Sequence, residues 1–317
     1  MATFQTQSAV GIREDLSDVI YNISPTDTPF MSTVGKTKAT AVYHEWQKDT
    51  LASVNLSNAA VDGADASSAT LAATTRVGNR TQISQKTVKV SGTLESVLKA
   101  GRKSEKAYQL AKAAAEIKRD MEAILLSNQT ANAGNSTSAR LLGGLQAWTS
   151  TNYSLGTSGV AGSNGTTAKV DGTNRALTEA MLQSVVRQVF VAGGSPTVFL
   201  VTPKQKQNVS AFAGIAAQRF AAPADAPTTI IGAADVYMSD FGTLSVVPDR
   251  FLASDTDADG GENIFVLDPE YVSVAYLRPF QTNELAIVGD SQNTQLLCEY
   301  TLEVKNEAAQ GIIGDLS

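Results

Sequence analysis

Helical periodicity is strongest between Ser104 and Leu126, a stretch with neither glycine nor proline. Its apolar residues fall at Ala107, Leu110, Ala111, Ala114, Ile117, Met121, Ile124 and Leu125. Their separations are mostly threes and fours, the spacing that gathers side chains on one helical face. At 1.5 Å per residue such a helix is a rod of about 35 Å. Lys112 with Glu116, and Lys118 with Glu122, stand four residues apart and are expected as ion pairs on its exposed side. A shorter helical piece is expected over 93–100, with Gly101 as the break. A second amphipathic helix is expected over 177–192, where Leu177, Met181, Leu182, Val185, Val186 and Val189 share a face and Gly193-Gly194 ends it.

Period-two alternation marks the strands. Ile83, Gln85, Thr87 and Lys89 alternate with Ser84, Lys86, Val88 and Val90, so 76–90 reads as extended. Thr197–Val201 reads as a buried strand, followed by Pro203 and a third helix near 204–214, an α/β arrangement. Further strands are expected at 235–239, 243–248, 263–268, 271–277, 283–289 and 295–305. Between these elements lie two stretches that cannot bury themselves. Residues 1–45 form an arm, with about two helical turns over Arg13–Tyr21 and an extended run punctuated by Pro25 and Pro29. Residues 46–75 are small, polar and rich in turn formers, and a loop of that length is usually functional. Residues 127–176 are again Gly-, Ser-, Asn- and Thr-rich, with Leu141–Trp148 as an island of order.

Composition narrows the possible roles. Of the 317 residues 43% are hydrophobic, enough for a real core, but only 6% are aromatic, which argues against a deep aromatic ligand pocket. The net charge of −6 lacks the basic excess that tight nucleic-acid binding needs. A lone Cys298 excludes an intramolecular disulfide and a cysteine-rich zinc site. Neither a signal segment nor a long apolar run is visible, so a soluble protein of a reducing compartment is expected, with no membrane contact.

Candidate chemistry is sparse. His44, the one histidine, has no nucleophile motif near it and is expected to be packed or hydrogen-bonded. Asp255, Asp257, Asp259 and Gly260 imitate the opening of a calcium loop, but Val266 occupies the position where a bidentate glutamate is needed. An acidic solvated turn is the expectation there. Gly156, Gly159, Gly162 and Gly165 recur in threes without the strand and helix that phosphate binding requires. No catalytic, cofactor-binding or metal residue is assigned, no cofactor is expected, and the chain is not expected to be an enzyme.

The order of several short motifs nevertheless resembles a known family. Arg13–Asp18, Ile23-Ser24-Pro25, Thr28-Pro29-Phe30 and His44-Glu45-Trp46 come first. Ser91–Glu95, Ala100-Gly101-Arg102, Lys118–Glu122, Ala139–Leu145 with Trp148, and Glu299–Asn306 follow. Together they resemble the major capsid proteins of tailed bacteriophages. One departure is local: Asp62-Gly63 stands where the family often has Glu-Gly.

The resemblance implies an α+β chain with the Hong Kong 97-type capsid fold. Its parts would be an N-terminal arm (1–45), an extended loop (46–90), a long spine helix region of the peripheral domain (91–128) and a peripheral continuation (129–176). An axial domain (177–255) and a return to the peripheral domain (256–317) would complete it. The implied function is self-assembly, as hexamers and pentamers, into the icosahedral head that encloses double-stranded DNA without specific recognition. Scaffolding, portal and cement proteins would be separate chains, assembly would occur in the host cytoplasm, and the final location would be the virion. Phe30, Trp46 and Leu56 are the expected inter-subunit contacts, and no lysine–asparagine cross-link is identifiable. A tail-tube or baseplate subunit, and an α/β enzyme with an unrecognised site, remain alternatives at this stage.

Overall fold

The computed structural model describes residues 24–212, 235–252 and 261–317, apart from 64, 66, 67, 69 and 70. The helix expected over Arg13–Tyr21, the turn at Asp255, Asp257 and Asp259, and the end of the helix expected near Gly214 lie outside the described residues. In chain order the helices are α1 (Pro29–Thr33), α2 (Gly92–Ser96), α3 (Glu105–Leu126), α4 (Leu145–Trp148), α5 (Glu179–Val191) and α6 (Pro203–Ser210). The strands are β1 (Gly35–Lys38), β2 (Tyr43–Lys48), β3 (Thr75–Arg80), β4 (Gln82–Ser91), β5 (Asn152–Ser154) and β6 (Val198–Val201). They continue with β7 (Val236–Ser239), β8 (Gly242–Pro248), β9 (Glu262–Leu267), β10 (Val272–Glu284), β11 (Ser291–Val304) and β12 (Gly311–Leu316).

The long helix α3 starts where its capping chemistry allows. Ser104 has extended backbone and its hydroxyl accepts from the Ala107 N–H at 3.2 Å. Ile117, Met121, Leu125 and Leu126 are its buried stripe. It packs on β4 and β11 of a four-stranded sheet ordered β1-β10-β11-β4. Each of those four side chains contributes about 1.5–3 kcal/mol on burial, which holds the helix down more firmly than its propensity does. In β4 the alternation is as expected, with Ile83, Gln85, Thr87 and Lys89 outward.

The second layer is a six-stranded mixed sheet ordered β5-β12-β9-β6-β8-β7. Leu182, Val185, Val186 and Val189 of α5 join Phe199, Val201, Val246, Ile264, Val266 and Ile313 in one apolar cluster. Gly193, at φ +96°, ends α5 as the sequence suggests, its N–H bonding back to Phe190 O. The larger cluster joins α1, α3, α4 and the strands β9 to β11, with Phe30, Trp148, Phe265 and Tyr300 at its centre.

Three expectations change. The strand expected at 283–289 is the end of β10, which runs through Pro279 at a register shift between Arg278 and Gln281 and stops at Glu284. Proline lacks a ladder donor, and a bulge is where a strand tolerates it. The helix over 93–100 shrinks to α2, five residues long. Glu122 is fully buried instead of pairing with Lys118 on the exposed face. The strands β9 and β12, within 256–317, are hydrogen-bonded into the sheet of β6 to β8. That sheet therefore draws strands from well outside 177–255, because β9 and β12 are apolar on both faces and need cover on both.

Candidate assembly surfaces

The antiparallel pair β2–β3 stands apart from both large sheets. Its base is fixed by one face. His44 and Trp46 turn inward, and the Trp46 ring lies 5.5 Å from Trp148, itself buried. His44 Nε2 sits 3.6 Å from Glu303 Oε2, which also accepts from the Thr37 hydroxyl at 2.6 Å. Asn79 of β3 is fully buried and locks the hairpin to the body. Its Nδ2 donates to Gly143 O at 3.0 Å and Leu302 O at 2.9 Å, and its Oδ1 accepts from Gly143 N at 2.8 Å.

Beyond Lys48 the chain leaves the body. In the described part of 49–74 no strand or helix forms; local hydrogen bonds such as Ser57 N to Asn55 Oδ1 at 2.9 Å are joined at the base by Thr74 Oγ1 to Gln47 Oε1 at 3.1 Å. Leu51, Leu56 and Leu71 are 99%, 96% and 90% exposed, and Val54 and Val61 are exposed with them. Leucines this bare, in a segment rooted so firmly, make this loop a candidate assembly surface.

A second apolar surface lies where the β10–β11 turn meets α2. Gly92 N donates to Asp290 O at 3.2 Å, which brings exposed Val97 and Leu98 to the same end of the sheet as Ile287 and Val288. Glu95 ties this region to α3. Its carboxylate accepts from the Glu105 N–H at 2.9 Å, and the Ser104 hydroxyl, with that N–H, holds its pKa below the usual carboxylate range. A third lies at the edge of the six-stranded sheet, where Phe190 and Phe241 stack at 4.8 Å beside exposed Val191 and Met238.

Polar joints make the body rigid. Buried Glu299 of β11 accepts from Thr81 Oγ1 at 2.8 Å and from Arg278 Nε at 2.7 Å, and pairs with Arg140. It thus ties three distant segments to β11. Lys169 is similarly buried against Asp171 and Asp315, the latter at 3.4 Å.

Of the three residues expected at subunit contacts, Leu56 is exposed, Trp46 is half-buried against its own chain, and Phe30 is fully buried in its own core. The structure does not bring them together. Leu51, Leu71 and Leu98 escaped sequence reasoning, although for Leu51 and Leu71 an isolated leucine in a run of small and polar residues was the available signal. Among the described residues no His, Cys, Asp or Glu cluster could hold a metal ion, and no helix is long and apolar enough to cross a membrane.

The whole arrangement is shared with shell proteins. The capsid of cyanophage A-1(L) superposes with a TM-score of 0.69 over 98% of both chains at 13% identity. The capsid of a native GTA particle gives 0.62 over 98% of both at 12% identity. An encapsulin from Synechococcus elongatus gives 0.57 over 100% of this chain and 97% of that one, at 13% identity. The chain accordingly has the Hong Kong 97-type capsid fold, in an α+β form.

Sequence comparison then fixes the family. The chain belongs to the SU10 major capsid protein family, whose model matches residues 1–317. A 107-residue stretch, 34% of this chain, is 46% identical to the major capsid protein of Escherichia phage Phieco32. That match spans 30% of the relative's length. The family is one of structural capsid proteins, which favours the shell reading over the tail-part and enzyme alternatives.

Proposed function

We propose that the chain is a shell subunit that assembles through hexamers and pentamers into the icosahedral head of a tailed phage, around double-stranded DNA. The observation that carries this reading is the hairpin β2–β3, rooted by Asn79 and Trp46 yet ending in exposed leucines. Such a projection gains nothing for its own subunit and everything from a neighbour. Heterologous contacts of this kind, repeated around a ring, close into capsomers, and many modest contacts together hold each subunit.

In this reading 1–45 is the arm, 46–90 the extended loop and 91–128 the spine region. The four-stranded sheet, with 129–176, makes the peripheral domain. The six-stranded sheet makes the axial one, built on 177–255 with β5, β9 and β12 added. Leu56 and Trp46 lie on the projecting loop and its base, where a neighbouring subunit would meet them. The acidic balance leaves the DNA held by confinement and counterions. Scaffolding, portal and cement proteins would be separate partners, with assembly in the host cytoplasm.

The test is to express the full chain alone and with its genomic neighbours, and to examine the soluble fraction by negative-stain electron microscopy. Closed shells or ring-shaped capsomers are expected. A stable monomer under both conditions would overturn the reading.

A further inference from the structure

Two acidic side chains meet beside the larger core cluster, and among the described residues no ion pair joins either to a cation. Glu122 of α3 and Asp249, just after β8, are both fully buried. Their carboxyl groups lie within hydrogen-bonding reach of one another. Two carboxylates cannot hydrogen-bond unless one of them carries a proton. Asp249 Oδ2 has no donor among the described residues, and no ion pair there neutralises either group.

The rest of the geometry shows what the pair holds. Glu122 Oε1 accepts from the Phe30 N–H at 2.6 Å and Oε2 from the Met31 N–H at 3.0 Å. Those are first-turn donors of α1, whose own N-cap residue Thr28 supplies no side-chain bond. The acceptor that α1 needs is therefore delivered from 91 residues or more along the chain. On its other side Asp249 Oδ1 accepts from the Phe251 N–H at 2.8 Å, fixing the turn that leaves the six-stranded sheet.

We propose that Glu122 and Asp249 form a proton-dependent clasp: one shared proton fastens α1 and the turn after β8 to the long helix α3, and its loss loosens both. The clasp lies within one subunit and stands independently of shell assembly.

The surroundings support a single titrating unit. Helix α1 brings no titratable side chain. From α3 comes Arg119, whose guanidinium stacks on Phe251 5.5 Å from the ring centroid. The turn brings Asp249 itself and Arg250, which is exposed. In the strands of the same cluster, burial pushes the Cys298 thiol up to about 12, and it raises the Tyr300 hydroxyl as well. Desolvation, followed among the raising causes by the charge of Asp249, pushes Glu122 up to about 8, and burial raises Asp249 too. A carboxyl raised on folding stabilises the fold most at low pH. That contribution declines from the ordinary glutamate range of 4.5 and is gone once pH passes about 8. The clasp is thus closed in acid and neutral solution and opens in mild alkali.

The experiment uses the full chain in its unassembled form, with particle formation scored separately by microscopy, so failure of one reading leaves the other standing. Amide hydrogen exchange of the peptide spanning 29–34 is followed between pH 6 and 9.5, corrected for intrinsic exchange. Its protection is expected to fall roughly 100-fold between pH 6 and 8 and then to level off, since each unit between the ordinary glutamate range and the folded value of about 8 removes about tenfold. In Glu122→Gln, which carries no titratable proton and gives up one of the two acceptors for Phe30 and Met31, the corrected protection is expected to be lower but flat with pH. Carbon-13 titration of the Glu122 carboxyl in the unmutated chain gives a second readout if the variant does not fold. A midpoint near 8 supports the clasp. A midpoint below 6, or the same pH profile in both proteins, overturns it.

Discussion

Replacing three loop leucines together, Leu51→Ser, Leu56→Ser and Leu71→Ser, separates folding from assembly. Each side chain is at least 90% exposed and touches no core cluster, so the isolated subunit loses almost nothing. Its unfolding free energy is expected within about 0.5 kcal/mol of the unmutated chain, as for surface changes away from special features. The interface is another matter. Full burial of a leucine is worth about 1.5–3 kcal/mol. Partial burial at a subunit contact, with ordering costs set against it, leaves about 1 kcal/mol per site. Three sites give about 3 kcal/mol per subunit, which raises the concentration needed for assembly roughly 100-fold. Urea denaturation measures the first quantity, and light scattering against protein concentration measures the second. An assembly threshold within threefold of the unmutated chain would refute the assignment of this loop to a neighbour. A loss of more than about 1 kcal/mol in the subunit would instead show that the loop packs on its own body.

Three further outcomes follow from the body of the subunit. Glu299→Gln leaves Arg140, Arg278 and Thr81 around a neutral amide, and the urea midpoint is expected to report a loss of roughly 2–4 kcal/mol. Gly165→Ala should cost about 1–3 kcal/mol in the same assay: φ is +67°, and the added methyl would sit 2.5 Å from Trp148 Nε1. Cys298, buried and with its thiol pushed up to about 12, is expected to be silent to a thiol reagent at pH 8 in the folded protein. In denaturant it should react stoichiometrically, and rapid labelling of the native chain would contradict its placement.

How far the sequence carried the reading depended on whether a pattern was local. Helices α3 and α5 were legible to within about two residues because a cap and an apolar stripe lie in one continuous stretch. The buried strand β12 was not. It holds Gly311 and Gly314 within six residues, and glycine is a poor strand former. Gly311 is there because α5 lies directly over it: a Cβ would come within 2.5 Å of Val185 Cγ1. Only the fold reveals that crossing. The strand β1 was missed for the opposite reason, since Gly-Lys-Thr-Lys carries no apolar face and pairs at a sheet edge. Glu122 shows the limit most clearly. Its spacing from Lys118 fits a surface ion pair, and nothing local announces that α1 requires an acceptor at that point. Among the candidate contacts, Phe30 and Leu56 look alike as apolar residues in polar surroundings, but one fills its own core and the other projects.

The strand orders also govern when the molecule can become itself. Gly35 pairs with Ser273, Gln82 with Tyr300 and Asn152 with Gly311, so both large sheets join early segments to late ones. Neither sheet can close while the ribosome still holds the last third of the chain, and such non-local pairing folds slowly. Helix α3 emerges early but finds its sheet late, with Ile117, Met121 and Leu125 bare in the meantime. Synthesis and shell building are thereby kept apart in time. No nascent chain can present a rooted hairpin, because Asn79 must first find Leu302. A growing shell would therefore recruit only finished subunits, while its unfinished ones form the pool most dependent on chaperones.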